Sequence, residues 1–138
     1  MKMENRKILN YIMFFVLFAL LLKYKTGTLA HEILGVGFVI LIAVHCFNNR
    51  AWLRNILKTN RQKKGPQKQT RLIVINCLLF LSFVLAVTNG VMLSVILFRF
   101  LDITYKESFY IVHVWSVRAL FVFSMTHLLI NKKSRRGI

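Results

Sequence analysis

The chain contains four histidines, and they form two pairs with one spacing: His31 with His45 and His113 with His127, each fourteen residues apart. On an α-helix, fourteen residues return to within about 40° of the starting face and rise about 21 Å. Each pair therefore marks one helical face at two heights. If both helices cross a bilayer side by side, the four imidazoles become two facing pairs, one near each surface. A facing pair can supply both axial ligands of one haem iron. With both positions filled, the iron has no open site for substrate, and the chemistry that remains is electron transfer.

Such a site needs long helices, and the composition supplies them. Of the 138 residues, 57% are hydrophobic, with 12 Phe and a single Pro, and the formal charge is +16. The apolar residues come in long blocks and the cations flank them, which is the pattern of a membrane protein with basic loops. A nucleic-acid partner is not expected, because that needs a basic stripe on a folded face. Four spans are predicted at about 8–24, 28–47, 72–98 and 108–130. The first reads as a span and not a cleaved leader, since no clear small-residue cleavage site follows it and further spans do. Thr28 is the expected N-cap of the second span, with Glu32 in its first turn facing the helix dipole. The third, from Leu72 to Phe98, carries no charge, and the fourth is interrupted only by Arg118.

Charge gives the orientation. Lys2, Arg6 and Lys7 precede the first span. Eight cations (Arg50, Arg54, Lys58, Arg61, Lys63, Lys64, Lys68 and Arg71) occupy the loop at 50–71, and Lys132, Lys133, Arg135 and Arg136 form the tail. These are 15 of the 20 basic residues, all on one side of a four-span chain. The positive-inside rule places that side, with both termini, in the cytoplasm. The expected fold is thus all-α: an integral membrane four-helix bundle forming one domain over 1–138. In the basic loop, Trp52, Leu53, Ile56 and Leu57 recur at helical spacing among Arg50, Arg54 and Lys58, which predicts a short helix lying on the inner surface and ending at Gly65-Pro66. Cys46 and Cys77 lie near that surface, where a disulfide is not expected.

The second and fourth spans then run in the same direction, from outside to inside. His31 stands level with His113 at the outer surface, and His45 with His127 at the inner. Phe38 lies seven residues from both His31 and His45, and Leu120 lies midway between His113 and His127, so both share the histidine faces. Gly35, four residues after His31, and Gly90 on the third span remove bulk where a macrocycle would approach. Asn49 and Asn131 each follow an inner histidine by four residues, where an amide can donate to a haem propionate or cap the helix. Glu32 can accept a quinol proton or satisfy the helix N-terminus. Arg118, about 15 Å deep, either reaches a propionate or faces a partner or a second copy.

The pair H-x13-H on two parallel helices resembles the haem-ligand pattern of cytochrome b in the bc-type respiratory complexes. The chain as a whole resembles the small four-span bacterial cytochromes described as flavinylation-associated. The resemblance runs over nearly all of the sequence: His31-Glu32, His45-x3-Asn49, Asn89-Gly90-x3-Ser94 and His113-x13-His127-Leu128. It implies two non-covalent haem b groups, iron held by His31, His113, His45 and His127, and electron transfer across the bacterial cytoplasmic membrane. It also implies redox partner proteins outside that membrane, among them flavin carriers. The flavin would belong to the partner, because no flavin-binding motif is present. The absence of CxxCH agrees with non-covalent haem. A quinone and a homo-oligomer stay open as partners. Two rival readings use the same histidines: a small metal-ion transporter, or a non-catalytic membrane subunit or assembly factor. No enzyme chemistry of the chain's own is visible.

Overall fold

In the computed structural model, the described residues are 3–51, 54, 67–104 and 106–136, with side chains described over 8–51, 54, 70–104 and 106–130. Every regular element among them is helical. The chain divides into two compact units, Met1–Gln67 and Lys68–Ile138.

The first unit is a helical hairpin. α1 (Met3–Leu21) and α3 (Thr28–Asn48) pack along each other, with the one-turn α2 (Lys23–Thr26) at the bend. The expected first span runs on to residue 24, but the helix breaks at Leu22, where the backbone turns to φ −93°, ψ 31°. Gly27 closes α2 by donating its N–H to the Lys23 carbonyl, and it adopts φ +80°, ψ 168°. That conformation is essentially restricted to glycine. The Gly27 carbonyl then accepts the first bond of α3, from the N–H of His31 at 3.1 Å. Gly27, not Thr28, is therefore the N-cap. Thr28 is the first helical residue, and the first turn holds no acid, so Glu32 belongs to the second turn. At the other end Asn49 is the C-cap, one residue from the expected limit. Leu17 of α1 and Phe38 of α3 are buried.

The second unit holds α4 (Gln67–Met92) and α5 (Glu107–Arg136). α4 stops six residues before the predicted end. Thr88 and Asn89 both bond back to the preceding turn, Thr88 Oγ1 to the Val84 carbonyl and Asn89 Nδ2 to the Leu85 carbonyl. Ser94 then takes the N–H of Phe98 on its Oγ at 3.0 Å. A side-chain acceptor that captures a backbone donor competes with the helix ladder, and the chain leaves α4 as a turn. A short 3₁₀ helix (Arg99–Leu101) and Asp102 at φ +47° lead to α5. Ser82, Ala86, Ser116 and Leu120 are buried in this unit.

Three helices are long and apolar enough to cross a membrane: Thr28–Asn48, Thr70–Met92 and Glu107–Ile130. Ile8–Leu21 is a shorter apolar helix. Cations sit over aromatic rings at two of the helix ends, Arg50 over Phe47 at 4.2 Å and Lys106 over Phe109 at 5.9 Å. Amphipathic pairs of this kind suit the headgroup level. The expected surface helix of the basic loop falls mostly outside the described residues; Arg50, Ala51 and Arg54 are helical.

Candidate functional site

Both members of each histidine pair lie on one uninterrupted helix, His31 and His45 on α3 and His113 and His127 on α5. Within each helix the members therefore share a face and are separated by about 21 Å along the axis. All four side chains are half-buried. The residue midway between each pair is among the least exposed in the protein: Phe38 at 5% and Leu120 at 4%. Most other large side chains on these helices are open, as Ile40 at 59% and Val122 at 58%. The histidine-bearing face is thus the inward face of each helix.

His113 is held in a defined orientation. Its Nδ1 lies 2.8 Å from the backbone carbonyl oxygen of Ala86. A carbonyl can only accept, so in the neutral ring Nδ1 carries the proton and Nε2 presents its lone pair. This is the arrangement in which protein histidines bind metal: one nitrogen oriented by an acceptor, the other left to ligate. Gly90, one turn further along α4, makes the approach possible. A Cβ there would lie 3.1 Å from His113 Cε1 and 3.3 Å from its Nδ1. Gly90 is expected to leave space for a macrocycle; the space it leaves here is taken by the His113 ring.

Ser82, Ala86 and Gly90 recur every four residues and form a stripe of small side chains on α4. Such stripes let helix backbones approach closely in membranes, and here the stripe brings a backbone carbonyl within reach of an imidazole. On α5, Ser116 is buried and returns its hydroxyl to the His113 carbonyl at 2.9 Å. Ser82, Ala86 and Ser116 were not among the residues expected from sequence. Ala86 acts through its backbone, which carries no side-chain signature, but the small-x3-small-x3-small spacing was there to be read.

In the first unit, the Nδ1 atoms of His31 and His45 are withdrawn from solvent, and that of His45 makes no hydrogen bond among the described residues. The Nδ1 of His127 on α5 is also withdrawn from solvent. A buried imidazole nitrogen without a partner costs on the order of 1–3 kcal/mol, a cost that a bound group able to engage the ring would offset. Gly35 has nothing within 4 Å of where a Cβ would stand, which is open space on the side of His31. The Asn49 amide donates to the His45 carbonyl at 2.8 Å, which is a capping bond. Asn131 is helical, and its side chain lies outside the described residues. Arg118 is exposed, its guanidinium carbon 5.2 Å from the centroid of the Trp115 ring. Glu32 is half-buried.

Among the described residues no three His, Cys, Asp or Glu side chains converge as a metal-ion site. A haem needs only two axial protein ligands, because its macrocycle supplies the other four nitrogens. Imidazole donors on apolar, inward-facing helix faces suit that group in chemistry and polarity. Cys46 and Cys77 are free and exposed. No family model, curated protein or solved structure matches this chain.

Proposed function

We propose that this protein carries electrons across a membrane through two non-covalent b-type haems, each held by one histidine of α3 and one of α5. The observation that carries the reading is the repeated H-x13-H face. It occurs on each of two long apolar helices, with a buried residue midway in both. Nothing in helix packing alone calls for histidine at matched heights on two helices, and ionisable residues within membrane spans mark function by default.

The pairing scheme draws on the three long apolar helices. A chain that crosses with α3, returns with α4 and crosses again with α5 runs α3 and α5 in the same direction. His31 then shares a level with His113, and His45 with His127. Parallel direction needs only these three crossings and is independent of whether α1 also spans.

Bound between two imidazoles, a haem supplies a one-electron carrier whose iron has no site left for substrate. The protein's own part is to hold the imidazoles. Ala86 keeps the proton of His113 on Nδ1 and its lone pair on Nε2, Gly90 leaves room for that ring, and Phe38 and Leu120 keep the interval between the two levels apolar and dry. By resemblance, the outer end would serve an extracytoplasmic redox protein such as a flavin carrier, and the inner end the cytoplasmic side or the quinol pool of a bacterial cell membrane. A pyridine-haemochrome spectrum of the purified full chain should give about two haem b per polypeptide. A colourless protein from haem-replete cells would overturn the reading.

A further inference from the structure

Arg118 stands near the middle of the apolar stretch Glu107–Ile130 of α5, about 16 Å from one end and 18 Å from the other. That is further from either surface than an arginine side chain extends, so snorkelling does not bring its charge to water. The side chain is exposed and leans toward the preceding turn, over Trp115, which is itself 63% exposed. The direction is the usual one for long helical side chains. Stacking on an indole face eases the charge but supplies no acceptor for the five guanidinium donors. A cation held at mid-depth on an open helix face is costly, and an opposite charge is the partner that offsets this most directly.

The chain has four acidic residues, Glu4, Glu32, Asp102 and Glu107. Glu32 is the fifth residue of α3, Asp102 precedes α5, Glu107 is its first residue, and Glu4 precedes the apolar stretch of α1. None lies near the middle of an apolar helix. A second copy of this chain, in either direction, therefore brings no carboxylate to the level of Arg118. We propose that Arg118 and Trp115 form a docking surface for a membrane helix of a different protein, one that carries an Asp or Glu near the bilayer midplane. The proposal requires α5 to span a membrane and does not depend on haem.

The test uses the full chain, fluorescently labelled and reconstituted in phosphatidylcholine vesicles with synthetic Leu/Ala peptides of about 20 residues, read by energy transfer at pH 8. The peptides carry Glu at the centre, Gln at the centre, or Glu one turn from an end. The central-Glu peptide is expected to associate about tenfold more tightly than the other two. Arg118→Leu and Arg118→Gln should erase that preference, and Arg118→Lys should retain part of it. Equal association of the three peptides with the unaltered protein overturns the proposal, whether or not the variants fold. So does a preference that survives Arg118→Leu. Association of donor- and acceptor-labelled full chains that Arg118→Leu abolishes would instead assign the surface to a second copy, and overturns it equally.

Discussion

Gly90 stands against the ring of His113, a candidate ligand, and makes the setting of that ring sensitive to small changes on α4. A methyl added at residue 90 meets the imidazole at 3.1 Å, and the same edge of the ring makes the 2.8 Å bond to the Ala86 carbonyl. The ring cannot yield to the methyl without stretching that bond. Gly90→Ala is therefore expected to weaken the outer haem about tenfold, the low end of what disturbing a ligand's supporting shell costs, and to leave the inner haem in place. Haem titration of the apoprotein with an optical readout measures this; two sites of unchanged affinity would show that the contact does not position the ligand. Pairing gives a second expectation: His31→Ala and His113→Ala should each remove the same haem, and His45→Ala and His127→Ala the other. Four distinct low-temperature spectra, one for each variant, would break the pairing. Histidine periodicity is legible in the sequence because an imidazole is a side chain. The Ala86 carbonyl was not, since every residue carries one and only the packing of α4 on α5 selects which is used. For Asn49 the sequence leaves two roles open, and the structure shows a capping bond, 2.8 Å to the His45 carbonyl.

The helices show where hydropathy locates an element and where it cannot. α3 begins and ends within a residue of expectation because both of its limits carry local chemistry, a glycine with positive φ at one end and an asparagine cap at the other. α4 was read through to Phe98 because Leu93 to Phe98 is uncharged. The ladder ends where the Ser94 N–H turns to the Val91 carbonyl, and the Ser94 Oγ then takes the Phe98 N–H, bonds to which an apolarity profile is blind. α1 breaks at Leu22, a residue with no helix-breaking character, because the hairpin must reverse before Gly27 can open α3. Two stability measurements follow from these ends. Gly27→Ala places a Cβ at φ +80°, where open space does not relieve the backbone strain, and should cost about 1–3 kcal/mol. Ser94→Ala removes one backbone partner and should cost about 1 kcal/mol. Both are read as lowered midpoints of unfolding in detergent, with Gly27→Ala the larger. If Gly27→Ala leaves the midpoint unchanged, the turn does not hold the start of α3 in this conformation.

Across the whole molecule, the sides of the membrane rest on charge and the pairing rests on direction, so the two can be tested apart. The apolar part of α1, Ile8–Leu21, is about 21 Å long, short of a hydrocarbon core of about 30 Å. Crossing at that length calls for local thinning or for flanking cations that reach outward. Lys23 and Lys25 stand at one end, and Lys2, Arg6 and Lys7 at the other, the latter each favouring an anionic inner leaflet by about 1 kcal/mol. A crossing α1 puts the amino terminus on the same side as the basic loop and tail; an α1 that stays at the surface puts it opposite the tail. If α3, α4 and α5 all cross, α3 and α5 run in the same direction either way. An alkaline-phosphatase reporter is expected to be silent when fused after Ile138 and active when inserted beside Asp102, and an amino-terminal epitope should be shielded from protease in spheroplasts. An exposed epitope with a silent carboxy-terminal reporter would remove α1 from the bundle and leave both histidine pairs level. An active carboxy-terminal reporter would exchange the sides, making His45 and His127 the outer pair, because the 15 cations that assign the cytoplasm would then face the wrong way. A reporter that shows the two ends of α4 on one side would defeat the pairing of His31 with His113 and of His45 with His127, since α3 and α5 would then run in opposite directions and the partners would exchange.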